Sequence, residues 1–278
     1  MASAKVPEIA TSYVLEPADK FPLTDECKHY EGRHQVPWDI QKCEAPTTTS
    51  NDVDILKACN RYFSQRYSIF SWYDEGVYLT DDAWFGVTPE PVANELSATD
   101  ASKDTLIDAF AGAGGNTIAF ALTHRWKRII AVERDASTLA CAQNNAELYE
   151  VDPSIITWVH ADSFEYLDLL HNRPEELHPD LRVDVSKTVL FSSPPWGGPG
   201  YRTDEVFDLG NMQPYNLDKL HSSYRSMDHV LYLPRTSDIR QIAKLAPEGS
   251  KVDVVQYCME GASKALVAYI PRREAQGS

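Results

Sequence analysis

A chain of 278 residues, 43% hydrophobic and 24% charged, is enough for one α/β domain of ordinary size plus a smaller attachment. Lys plus Arg number 26 against 41 Asp plus Glu, a net charge of −15, which argues against a chain that grips long nucleic acid through its phosphates but leaves room for a substrate of one or two nucleotides held by a few local arginines. No apolar stretch reaches bilayer length, the start Met1–Pro7 lacks a secretory core, and five scattered cysteines without a CxxC pair read as reduced thiols, so a soluble intracellular protein with no metal site and no membrane partner is expected.

To about Asn51 the chain is irregular, broken by Pro7, Pro17, Pro22, Pro37 and Pro46, and Thr47–Asp52 has linker composition. Apolar positions from Val53 to Phe70 recur at helical spacing, with Asp52 as N-cap. From Thr105 the rhythm alternates. Strands are predicted at Thr105–Phe110, Arg128–Glu133, Ile155–His160 and Thr188–Ser192, with helices at Thr117–Thr123, Ala136–Tyr149 and Ser163–Leu170 between them. Val230–Leu233, Lys251–Cys258 and Ala265–Ile270 supply three more strands, and the short Met259–Lys264 connection forces the last two into an antiparallel hairpin. The expected fold is α/β: a doubly wound, mostly parallel, seven-stranded sheet, residues 96–278, with a small helical N-terminal extension, residues 1–95.

Such sheets bind ligands at the carboxyl ends of their strands. After the first strand come Asp108, Phe110, Gly112, Gly114 and Asn116, a glycine-rich turn that lets a ligand approach the backbone. A dinucleotide fingerprint wants a third glycine where Thr117 stands. Glu133 ends the second strand, where a carboxylate can accept both hydroxyls of a ribose. Asp162 and Ser163 follow the third, within reach of an adenine amino group. Singly, each acid reads as a solvated carboxylate or a helix cap; their placement at successive strand ends points to a nucleoside. Asp108 would repel a pyrophosphate and attract an ammonium, so S-adenosyl-L-methionine is the expected cofactor and a dehydrogenase is disfavoured.

The fourth strand runs into Ser193-Pro194-Pro195-Trp196-Gly197-Gly198. Two prolines stiffen the backbone and remove two N–H donors, leaving carbonyl oxygens and the Ser193 hydroxyl as acceptors for an exocyclic amine. Trp196 offers a face for a base. Ser193, Pro194 and Trp196 are therefore the candidate catalytic residues, acting by positioning rather than as a strong base.

These motifs identify a resemblance. Asn/Asp/Ser-Pro-Pro-aromatic marks amino-methyltransferases of nucleobases and glutamine. The longer strings Trp84–Glu90, Asp108–Ala121, Asn144–Glu147, Ser193–Gly198 and Leu233-Pro234-Arg235 resemble the trimethylguanosine synthase family over about Arg61 to Ile270. Gly200 stands where that family usually has aspartate. The resemblance implies methylation of N2 on a 7-methylguanosine RNA cap, giving the 2,2,7-trimethylguanosine cap of small nuclear and nucleolar RNAs. It implies that Trp196 stacks on the methylated base with a cation–π component, with Ser193 and Pro194 around N2 and Asn145 orienting the purine edge. It further implies that Arg235 and Arg61 meet the cap phosphates and that Thr88 closes over the methionine part of the cofactor. It also implies a monomer acting in the nucleus, nucleolus or cytoplasm, served by proteins that deliver ribonucleoproteins. The alternatives are another nucleobase amino-methyltransferase, acting on guanine N2 or adenine N6, and a non-catalytic cap-binding module.

Overall fold

A computed structural model describes residues 13–30, 63, 65–95, 102–197, 204–259 and 261–273. Its centre is a seven-stranded sheet of order β3-β2-β1-β4-β5-β7-β6. The strands are β1 Thr105–Asp108, β2 Arg128–Glu133, β3 Ile156–His160, β4 Thr188–Ser192, β5 Asp228–Pro234, β6 Asp253–Met259 and β7 Ala262–Ile270. β1 to β5 run parallel, and β7 inserts antiparallel between β5 and β6. Strand order reverses between β1 and β4, which opens a crevice at their carboxyl ends.

The central strands read as unbroken apolar runs because both faces are covered. Alternation sends Ile129 and Ala131 to one face, with Phe120 and Cys141, and Ile130 and Val132 to the other, with Leu169, Leu220 and Tyr224. The covering helices are α4 Gly115–Leu122, α5 Ala136–Leu148, α6 Ser163–Asn172 and α7 Leu217–Tyr224; α8 Ile239–Ala243 follows β5. Each of α5 to α8 begins on a side-chain cap: Asp135, Asp162, Asn216 and Asp238 accept from backbone N–H groups of the second or third helical residue.

Ahead of the sheet lie α1 Arg66–Ile69, α2 Ala83–Gly86 and α3 Glu90–Glu95. Of the helix predicted over Val53–Phe70, Phe63 and the α1 turn fall within the described residues; the linker at Thr47–Asp52 lies outside them. Phe70, Tyr73, Trp84 and Val92 share one apolar cluster with Ile118, Phe120 and Ile129, so this part of the extension packs as a layer of the same core. Residues 13–30 form a strap that runs from Glu176 and Leu177 past the β3 edge to Leu79. Ala18 donates its N–H to the Trp158 carbonyl at 2.8 Å, covering an edge that would otherwise be open to pairing. Gln143 of α5 clasps the strap from both sides, accepting from Phe21 N–H at 2.8 Å and donating to the Asp19 carbonyl at 3.0 Å.

Candidate active site

The turn after β1 depends on glycine at two positions. Gly114 has φ +90°, and a Cβ there would lie 3.2 Å from the Ala142 Cα, so it permits both the turn and the close approach of α5. Gly112 has φ +54° with nothing within 4 Å of a built Cβ, which leaves open space before the turn. Its N–H donates to Glu133 Oε2 at 3.0 Å, and Glu133 Oε1 accepts from Asp135 N–H at 2.9 Å. Each carboxylate oxygen retains a lone pair for a hydroxyl.

Asp108 is fully buried. Its Oδ2 accepts from the Thr117 hydroxyl at 2.6 Å, while Oδ1 has no hydrogen-bond partner among the described residues. Burial pushes this carboxyl up to about 7; the Thr117 hydroxyl and the Phe110 N–H offset part of that, and the Glu133 charge adds to it. Thr88 is buried and accepts from Asn116 Nδ2 at 3.1 Å, and the Asn116 Oδ1 is likewise without a partner among the described residues. Two buried acceptors beside an open glycine turn fit a ligand carrying an ammonium.

The third strand end is more occupied than its sequence indicates. Asp162 Oδ1 caps α6 through Phe164 N–H at 2.8 Å, and Oδ2 accepts from the Tyr215 hydroxyl at 3.0 Å. Ser163 is buried and spends its hydroxyl on the Ala109 carbonyl, which fixes α6 against the β1 turn. Around Asp162, Phe164 and Tyr215 meet at 4.6 Å between ring centroids, and Phe110 and Tyr215 at 5.9 Å. These half-buried rings, inclined to one another by 40° to 70°, form an aromatic corner against which an adenine could pack. Sequence reasoning misses Tyr215, because 53 residues separate it from Asp162 and no motif surrounds it. Phe164, next to the cap, carries a local signal.

On the acceptor side Pro194 is buried, Ser193 half-buried and Pro195 exposed. The half-buried Trp196 stacks on Tyr232 of β5, centroids 5.8 Å apart and planes inclined 16°, and its Nε1 donates to the Tyr232 carbonyl at 3.3 Å. The indole is therefore fixed in orientation. Gly197 has φ +89°, and a built Cβ would stand 3.4 Å from Gln213 Cβ. Gln213 lies two residues from Tyr215, so one loop touches both halves of the cleft. Arg235 sits half-buried in the turn after β5 and makes no hydrogen bond or ion pair with the described residues.

Asn145 requires a correction. It is fully buried, and its side chain is committed to backbone: Oδ1 accepts from Tyr78 N–H at 2.9 Å, and Nδ2 donates to the carbonyls of Tyr78 at 2.8 Å and Ala113 at 3.0 Å. A side chain so satisfied has nothing left for a purine edge. It pins the segment before α2 to the glycine turn instead. Arg61 and Gly200 lie outside the described residues.

The sheet order, the antiparallel β7 and the acid-lined cleft at the carboxyl ends define a class I methyltransferase. In solved structures the fold resembles a methyltransferase from Porphyromonas gingivalis W83, with TM-score 0.55 and 17% identity over 87% of this chain and 56% of that one. The profile of the RNA cap guanine-N2 methyltransferase family matches residues 103–273. Trimethylguanosine synthase of Schizosaccharomyces pombe is 32% identical over 226 residues, 80% of this chain and 89% of the yeast protein. That of Saccharomyces cerevisiae is 31% identical over 192 residues, 66% of this chain and 57% of its own length. This chain belongs to the RNA cap guanine-N2 methyltransferase family.

Proposed function

We propose that the chain uses S-adenosyl-L-methionine to methylate N2 of a 7-methylguanosine RNA cap, producing the 2,2,7-trimethylguanosine cap of small nuclear and nucleolar RNAs. The observation that carries the reading is the Ser193–Trp196 turn, its indole locked on Tyr232, at the end of the strand next to Asp108, whose buried Oδ1 has no hydrogen-bond partner among the described residues. The cofactor supplies an electrophilic methyl on a sulfonium. Asp108 and Asn116 would hold its amino-acid end, Glu133 its ribose, and Phe110, Phe164 and Tyr215 its adenine beside Asp162.

An aromatic amine is a weak nucleophile because its lone pair is delocalised into the ring. Ser193 and the Pro194 carbonyl would accept hydrogen bonds from the two N2 hydrogens, drawing the nitrogen toward tetrahedral geometry without a strong base; the methylated nitrogen, acidic once it carries the positive charge, then sheds one proton to water. Trp196 would hold the purine plane from its side opposite Tyr232. A 7-methylated guanine carries positive charge, so this stack gains a cation–π contribution that plain guanine lacks. The chain acts as a monomer in this reading, in the nucleus, with the nucleolus and cytoplasm as further locations. Its net charge of −15 favours recognition of the cap nucleotide over the RNA body, so protein partners would deliver the ribonucleoprotein. The test is methyl incorporation from labelled S-adenosylmethionine into 7-methyl-GDP and GDP. Strong preference for the former is expected; equal use of the two would refute the cap reading.

A further inference from the structure

The connection that enters α7 touches both halves of the cleft. Phe207 donates its N–H to the Thr236 carbonyl at 2.7 Å and accepts from Asp238 N–H at 3.0 Å, which ties it to the turn after β5. Gln241 of α8 holds the next two residues, donating to Asp208 Oδ1 at 2.6 Å and accepting from Leu209 N–H at 2.8 Å. Leu209 and Met212 are fully buried in one apolar cluster with Leu190, Leu231 and Leu233, and both Trp196 and Tyr215 pack against that cluster. Past Met212 the chain comes to the surface: Gln213 and Pro214 are exposed and Tyr215 is half-buried. A Cβ built on Gly197, the residue after Trp196, would lie 3.4 Å from Gln213 Cβ and 3.5 Å from its backbone N. Two residues on, the Tyr215 hydroxyl donates to Asp162 at 3.0 Å and the ring meets Phe164 and Phe110.

Three residues span at most about 10 Å, so a change in the seating of Tyr215 is felt at Gln213. An adenine in the corner of Phe110, Phe164 and Tyr215 would cover the open part of the Tyr215 ring and favour the seat in which its hydroxyl meets Asp162. That seat sets Gln213 against Gly197 and narrows the freedom of the Trp196 turn. A ligand shifts a conformational equilibrium only through contacts that differ between the two states, and here those contacts fall on Tyr215. We propose that Tyr215 and Gln213 couple the two halves of the cleft. Tyr215 seats on the bound adenine, Gln213 follows it against Gly197, and the Trp196 turn is held ready for the base, so cofactor and acceptor bind with positive cooperativity. By reciprocity the base tightens the cofactor by the same factor. Gln213 is in this scheme a positioning residue. The names of the two ligands rest on the function proposed above. The competing role for the segment is static packing, in which each ligand binds without regard to the other.

The experiment titrates 7-methyl-GDP into the full chain by calorimetry, with and without saturating S-adenosylhomocysteine. Wild type is expected to bind the nucleotide about tenfold more tightly when S-adenosylhomocysteine is present. Gln213→Gly removes the Cβ that faces Gly197; it should bind S-adenosylhomocysteine as wild type does and lose most of that tenfold. Gln213→Ala keeps the Cβ and should keep the cooperativity. Tyr215→Ala should weaken S-adenosylhomocysteine and lose the coupling, and Tyr215→Phe should retain part of both. No tightening in wild type, or a Gln213→Gly protein as cooperative as its parent, would overturn the coupling. Hydrogen exchange separates this idea from the cap reading, because it needs no guanine nucleotide. S-adenosylhomocysteine alone should slow exchange at the Trp196 and Gly197 amides in wild type and Gln213→Ala, and not in Gln213→Gly. If wild type binds no 7-methyl-GDP the cap reading fails, yet that exchange pattern still sustains the coupling; equal slowing in Gln213→Gly, or none in wild type, ends it.

Discussion

Around β1 to β3 the cleft is lined by carboxylates already organised by the protein itself. Glu133 is held by the backbone N–H groups of Gly112 and Asp135, Asp108 by Thr117, and Asp162 by the α6 terminus and Tyr215. Around β4 and β5 the same cleft offers a half-buried indole, proline carbonyls and Arg235, which has no hydrogen bond or ion pair among the described residues. The first half is preformed for a small ligand of fixed shape. The second supplies one fixed surface, Trp196, and leaves the Arg235 charge to be neutralised by what binds. In one half affinity should therefore respond to single buried contacts and to pH, and in the other to stacking and to salt.

The largest expected effect falls on the fixed surface of the acceptor half. Trp196→Ala should lose nearly all methyl transfer: base–aromatic stacking is worth about 1–3 kcal/mol by alanine substitution, and misplacement of N2 adds a loss in turnover. Trp196→Phe should keep partial activity with a reduced preference for 7-methyl-GDP over GDP. An alanine variant as active as its parent would remove the indole from the site.

Asn145 tests whether the boundary between the halves is structural. Asn145→Ala would leave the N–H and C=O of Tyr78 and the C=O of Ala113 without their partner. A loss of about 3 kcal/mol of folding stability is expected, read by denaturant unfolding, with KM for a capped nucleotide little changed in the folded fraction. A stable variant with a raised KM would restore the purine-orienting role.

Asp108 sharpens the cofactor half. Its carboxyl is raised to about 7 by burial, so the unliganded protein is stabilised by the protonated form, and that stability declines as pH climbs from the ordinary carboxylate range through 7. An ammonium requires the ionised form. S-adenosylmethionine affinity should therefore rise about tenfold between pH 6 and pH 8, with proton release on binding. Asp108→Asn should flatten that dependence and weaken binding at pH 8 by about 1.5–3 kcal/mol. Calorimetry in buffers of different ionisation enthalpy reads both; a pH-independent wild type would sink the ammonium assignment.

How much of this was legible in the sequence follows the same division. Strand positions were readable because a buried parallel sheet demands apolar runs, and Arg128–Glu133 and Thr188–Ser192 coincide with β2 and β4 to the residue. Helix starts drifted where glycine misled: α4 begins at Gly115, two residues before the predicted start, because Gly114 at φ +90° serves as its cap. Carboxylates at strand ends were visible because local order places them. Tyr215 was not, since its contact with Asp162 depends on how a distant loop returns. The motif around Asn145 suggests a purine edge, but it does not show that the amide faces inward to Tyr78 and Ala113.

The smallest expected effect belongs to Arg235, and it bears most directly on whether the two halves differ in kind. As a half-buried cation with no hydrogen bond or ion pair among the described residues, it contributes little to folding, so Arg235→Ala should unfold at nearly the wild-type denaturant concentration. Cofactor affinity should also be unchanged, since the buried acids on the other side of the cleft do not depend on it. KM for a capped dinucleotide should rise several-fold, in line with the loss of one phosphate contact near the surface. Because each such contact releases condensed counterions, the plot of log affinity against log salt should flatten by up to about 0.7. Cofactor binding serves as the internal control, its salt dependence the same in both proteins. Should the substrate slope stay unchanged in Arg235→Ala, Arg235 would be an ordinary surface arginine, and the acceptor half would recognise the base alone.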